Sequence, residues 1–262
     1  GIVLMRIAFR PMGCAPASMV ADHLRRNASA SRAAPKVRTH PVAVAGGGHS
    51  LLSGLEELRV WPGDVWAINS TADFLLDQGI DCIAVSIDPN PFKTTAAQKL
   101  LASCCAPQDN AAYWDMSDHV AGGVPGGVTT ASRCPSLALR LGYPGAMFFG
   151  CEGSFPLGQK THVNKDDGLD TLMVVRAGGT DYVTHPELFM QCETLSAVLR
   201  EFPRFFQEQS GGLLRAMTSD PDWTVAAVST ALREHMAQEN GADVWTERFQ
   251  FRNTGATACP IG

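Results

Sequence analysis

The feature that most constrains this chain is a repeating alternation along its first two thirds. Short apolar runs, each closed by glycine or a small polar residue, lead into segments whose apolar residues recur at helical spacing. Pro41–Ala45 is stopped by Gly46, Gly47 and Gly48, and Leu51, Leu52, Leu55 and Leu58 then follow a helical period behind Ser50, which is placed to cap that helix. The same reading gives a strand over Val65–Ile68, a helix around Ala72–Gln78, a strand over Cys82–Ile87 and a helix around Thr95–Ser103. A helix over Val128–Leu141 and strands over Ala146–Phe149 and Thr171–Arg176 come next. Strands without a polar face are buried on both sides, so the pattern predicts an α/β fold: a mostly parallel sheet of five or more strands with helices on both faces.

From Pro186 onward the pattern turns helical. Glu187–Glu208 and Trp223–Glu239 read as helices, and Val244–Phe251 alternates as a closing strand. Residues 1–40 read as an N-terminal extension, because Ala28–His40, rich in Ala, Ser, Arg and Pro, would bury little and suits a linker. Residues 41–262 then form a single domain, large enough to bury roughly three quarters of its unfolded surface.

Charge and cysteine content exclude several classes. A net charge of -5 offers no general attraction to nucleic acid or to an anionic membrane. Eight cysteines include no C-x-x-C pair, which argues for reduced thiols in a cytoplasmic protein. The apolar stretch within Gly1–Val20 is broken by Arg6, Arg10 and Pro11, so it predicts neither a secretory segment nor a membrane span. Glu187–Glu208 could supply a dimer face, although an amphipathic helix packed on its own sheet is the simpler expectation.

In an open parallel sheet, ligands bind beyond the carboxyl ends of the strands, near the point where strand order reverses. Four such places are polar or glycine-rich. Gly46, Gly47, Gly48 and Ser50 precede a helix whose free amides suit a phosphate, though a tight turn also explains three glycines. The run is neither the dinucleotide fingerprint nor a P-loop, and Leu52 spoils the nucleophile-elbow pattern around Ser50. Asn69 could hold a base or sugar and Asp88 a ribose or a Mg²⁺ that bridges phosphates; helix capping and a turn are the structural alternatives. Gly126, Gly127 and Thr129 open another helix, and Glu152 follows an apolar strand. His162 lies in a polar loop and could exchange protons near neutral pH. Asn164–Gly168 fails as a calcium loop, since Val163 and Lys165 would fall where oxygen ligands belong.

In this order, "VAVAGGGHSL", "VWAINSTADFLLDQGI", "CIAVSIDP", "PGGVTTASRCPSLALRLG", "AMFFGCEGSF" and "THVN" resemble the motility-associated-factor glycosyltransferases and the archaeal 6-hydroxymethylpterin pyrophosphokinase-like proteins. The resemblance runs from Val42 to Met217. His49 stands where that family usually has proline, and Glu152 where it has aspartate; Gly211 and Gly212 match a family glycine pair. The resemblance implies a Rossmann-like fold related to bacterial sialyltransferases. It further implies a nucleotide-dependent transferase, with a nucleotide-activated sugar as donor and a small molecule or glycan as acceptor. Gly46, Gly47, Gly48, Ser50, Asn69, Asp88, Gly126, Gly127 and Thr129 would hold the nucleotide, Asp88 the Mg²⁺, and His162 or Glu152 would act as acid or base. Two alternatives are a Mg²⁺-dependent pyrophosphokinase acting on a pterin-like substrate and a nucleotide-binding module without catalysis.

Overall fold

The computed structural model describes residues 15–91, 94–156 and 172–229. Seven strands form one wholly parallel sheet: β1 (Val42–Ala45), β2 (Val65–Ile68), β3 (Ile83–Ser86), β4 (Gln98–Ala102), β5 (Ala111–Trp114), β6 (Ala146–Phe149) and β9 (Phe206–Glu208). Their order is β5-β4-β3-β2-β1-β6-β9. A second, antiparallel sheet of β7 (Leu172–Ala177), β8 (Thr180–Thr184) and β10 (Thr224–Ser229) has the order β10-β7-β8. The expected Rossmann-like α/β fold is thus the observed one.

Every residue of β1 is fully buried, which explains its unbroken apolar sequence. Val42 and Val44 enter one core and Ala43 and Ala45 the other, as strand alternation requires. The smaller core takes Leu51 and Leu58 of α2 (Leu51–Arg59) and Leu75 of α3 (Thr71–Asp77). The larger takes Leu137 of α4 (Thr130–Arg140), Leu195 of α5 (Pro186–Glu201) and Leu213 of α6 (Gly212–Ser219). Helices therefore cover both faces.

Four segments differ from the sequence reading. The helix expected around Thr95–Ser103 is strand β4, parallel to β3 and β5. Leu100, Leu101 and Ala102 are all buried, and a three-residue apolar run carries no period that separates strand from helix. The helix expected over Glu187–Glu208 ends at Glu201, because Pro203 cannot continue it, and the chain re-enters the sheet as β9. Thr224–Ser229, expected to be helical, is strand β10, and the strand expected over Thr171–Arg176 belongs to the antiparallel sheet as β7. The closing strand expected over Val244–Phe251 lies outside the described residues.

The stretch Ala28–His40 does not hang free. Ala33 N donates to Tyr113 O (2.9 Å) and Tyr113 N to Ser31 O (2.8 Å), so the stretch covers the β5 edge. Ahead of it lies α1 (Ala17–Arg26), whose His23 is buried, as is the adjoining Asn27.

Candidate functional site

Strand order reverses between β1 and β6, which lie side by side while their connections leave toward opposite halves of the sheet. Ligand crevices of open α/β sheets form at this point. Here the two loops are laced together: Gly46 N donates to Phe149 O and Gly48 N to Gly150 O, both at 2.8 Å. A Cβ on Gly46 would lie 2.5 Å from Gly150 O, and Gly150 has φ +61°. Close backbone approach and left-handed geometry explain the glycines at these two places.

Glu152 joins the two loops from the β6 side. Its carboxylate accepts the Ser50 amide and the Ser50 hydroxyl, each at 2.7 Å, and the residue is only 4% exposed. Its backbone carbonyl accepts Leu214 N (2.9 Å) in the first turn of α6. Ser50 therefore does not cap α2 as its sequence position suggests: it has helical φ and ψ and makes no capping bond. Glu152 supplies the negative charge that the α2 N-terminus favours, and a Cβ on Gly48 would overlap that carboxylate. The place expected for a donor phosphate is held by a side chain of the protein itself.

The other expected residues fall along the same rim. Asn69 ends β2 in a left-handed conformation (φ 50°), and its Oδ1 is buried without a hydrogen-bond partner. An orphaned acceptor on a strained residue is what a binding site can retain. Asp88 follows β3, and its Oδ1 accepts Asn90 N (2.9 Å), the turn geometry its position suggests. Ile87 N donates to Thr130 Oγ1 (3.3 Å), which brings the start of α4 to the end of β3. Thr129 caps α4 in a reciprocal box with Ser132. Gly126 and Gly127 pack close to Arg133 and to Ser132 with Thr194, so this helix start is filled by side chains of α4 and α5. The sequence candidates thus gather at the carboxyl edge in the order Asp88, Asn69, Gly46–Ser50, Glu152, whereas His162 lies outside the described residues.

Sequence reasoning missed Ser154 and Ser210. Leu213 N donates to Ser154 Oγ (3.1 Å) and Cys151 N to Ser210 Oγ (2.9 Å), and these bonds seat the start of α6 against the loop after β6. A serine directly ahead of the Gly211–Gly212 pair was the available signal. Cys151 beneath the loop is fully shielded, and burial, then the Glu152 charge, pushes its thiol up, so it serves as packing.

Among the described residues no group of three or more His, Cys, Asp or Glu converges as a metal cage. A Mg²⁺ at Asp88 would draw most of its ligands from phosphate and water, its usual habit. Among the same residues no helix is long and apolar enough to cross a membrane.

Fold and site together define an open parallel α/β domain of Rossmann type with two glycine-rich loops packed together at its switch point. No protein-family model matches the chain, and neither a curated protein nor a solved structure matches it.

Proposed function

We propose that the chain is a cytoplasmic nucleotide-dependent transferase of glycosyltransferase type, using a nucleotide-activated sugar and a small-molecule or glycan acceptor. The observation that carries this reading is the meeting of Gly46–Ser50 with Gly150–Glu152 where strand order reverses between β1 and β6. The segments of that resemblance that carry Gly46–Ser50, Asn69, Asp88 and Glu152 follow β1, β2, β3 and β6. In this reading Gly47, Gly48 and Ser50 flank the donor phosphates, the Asn69 Oδ1 receives a donor group of the nucleotide, and Asp88 holds Mg²⁺. Catalysis would come mainly from positioning and charge stabilisation, because a nucleotide is already a good leaving group. Glu152 or His162 would exchange the acceptor proton.

The Glu152 carboxylate in the α2 cradle favours a donor whose phosphate charge is already masked by a cation. That supports, as a second reading, Mg²⁺-dependent transfer of diphosphate to a pterin-like substrate. Phosphorus NMR of long incubations distinguishes the two. Nucleoside phosphate released from a nucleotide sugar supports the first reading, and AMP formed from ATP and a pterin supports the second. Turnover of neither donor class contradicts a transferase and leaves a binding module.

A further inference from the structure

A cavity of about 250 Å³ lies between the β5 edge, the loop from Asp115 to Val124 and the C-terminal half of α4. It sits four strand spacings from β1, about 19 Å from the switch point, and shares no residue with the nucleotide rim. Small-molecule sites begin near 300 Å³ or so, and a cavity of this size takes a ligand smaller than a nucleotide.

Its walls are already in place. Val124 N donates to Asp115 O (2.7 Å), Ser117 N to Val124 O (3.1 Å) and Arg133 Nη1 to the same Val124 carbonyl (3.0 Å), which closes the loop on itself and ties it to α4. The extension that carries Arg32 is pinned to Tyr113 on either side, by Ala33 N and by Ser31 O. Trp114, Val124 and Leu137 line the cavity and are buried, so its interior is largely apolar.

The polar side chains on this lining, Asp115 apart, offer donors. Trp114 is 5% exposed, and its Nε1 is buried without a hydrogen-bond partner; an indole nitrogen can only donate. Arg32 gives Nη1 to Asp115 Oδ1 (3.1 Å), and the Ser103 hydroxyl donates to the same oxygen (2.7 Å), so the Asp115 charge is matched within the protein. Arg140, exposed on α4, meets only a neutral carbonyl among the described residues, Gly122 O at 2.9 Å. The cavity therefore keeps one uncompensated positive charge beside a buried donor that lacks an acceptor.

We propose that this cavity binds a small organic monocarboxylate, with its carboxylate on Arg140 and the Trp114 N–H and its apolar body against Val124 and Leu137. A guanidinium presents paired N–H donors that match the two oxygens of a carboxylate. One uncompensated charge suits a monoanion, whereas a phosphate monoester brings close to two. The site stands independently of the nucleotide reading, and the absence of nucleotide binding would leave it untouched.

The test is fluorine NMR of para-fluorobenzoate and para-fluorophenylacetate with the full chain, each against its neutral amide. The Trp114 indole signal in proton–nitrogen spectra, assigned with Trp114→Phe, reports where they bind. We expect each carboxylate to bind roughly tenfold more tightly than its amide and to shift that signal. Arg140→Gln should weaken the carboxylates by about tenfold and leave the amides unchanged, and Trp114→Phe, which keeps a ring in place, should weaken them about fivefold. Arg59→Gln, an exposed arginine of α2, should change nothing, which separates the site from general attraction of anions to surface arginines. Because Arg140 is exposed, its replacement keeps the test decisive if Trp114→Phe fails to fold. Failure of both carboxylates to bind at millimolar concentration, equal binding of acid and amide, an unmoved Trp114 signal, or undiminished binding in Arg140→Gln overturns the proposal.

Discussion

The carboxylate of Glu152 and the backbone amide of Ser50, 102 residues apart, meet at 2.7 Å across the switch point of the sheet. This contact joins the β6 loop to the N-terminus of α2 and leaves no room for a Cβ at Gly48. Glu152→Ala should destabilise by about 1–3 kcal/mol, since it leaves the Ser50 amide unpaired. Gly48→Ala should cost a similar amount by overpacking. The two effects should not add. With Glu152 already removed, Gly48→Ala should cost roughly 0.5 kcal/mol or less, a coupling that a urea double-mutant cycle measures directly. Additive effects would mean that Gly48 is glycine for another reason.

Gly150 and Gly178 separate two kinds of glycine. Both have positive φ, but a Cβ at Gly178 meets nothing within 4 Å, whereas one at Gly150 would overlap the Gly46 carbonyl. Gly178→Ala should cost only the left-handed strain, about 1–2 kcal/mol. Gly150→Ala should cost clearly more, because two backbones must part. Equal losses in thermal or urea unfolding would contradict the laced loops.

Thr129 is occupied as the cap of α4, its side chain accepting Ser132 N at 3.2 Å. Thr129→Ala should lower stability by about 1 kcal/mol, and Thr129→Ser should restore most of it. If Thr129→Ala leaves stability intact, the capping box contributes nothing.

Tyr143 is buried, and burial, then its bond to Asp64, pushes its phenol up to about 12, with Arg38 opposing. The folded state thus favours the neutral phenol. Its contribution is complete below pH 10 and is lost as pH rises through about 12. Cys82, raised from 9.0 to about 12 chiefly by burial, opens the same window earlier. Urea midpoints should therefore fall from about pH 9 upward. Tyr143→Phe should remove roughly 2–3 kcal/mol of that fall above pH 10. Parallel pH profiles for the two proteins would contradict this assignment.

Much of this fold was legible because β1, β2 and β6 are apolar at every position and run directly into glycine or Asn, while β3 is apolar up to Ser86 and reaches Asp88 past Ile87. β4 was not, since Leu100–Ala102 is too short to show a period and Ala96 and Ala97 invite a helix. Strand β5 was hidden behind Asn110 and Asp115, and β10 behind a helix-like run. The rim residues could be named from their places after strands. The bond between Glu152 and Ser50 could not, because it depends on the strand order that brings β6 beside β1.

The central claim is that this rim binds a nucleotide. Thermal-shift titration with ATP, GTP, CTP, CMP and several nucleotide sugars, with and without Mg²⁺, tests it on wild type and Asp88→Ala, because a ligand of the native state must raise the melting temperature. The account predicts a selective, Mg²⁺-strengthened shift in the wild type that Asp88→Ala loses; no shift with any nucleotide at saturation would contradict it.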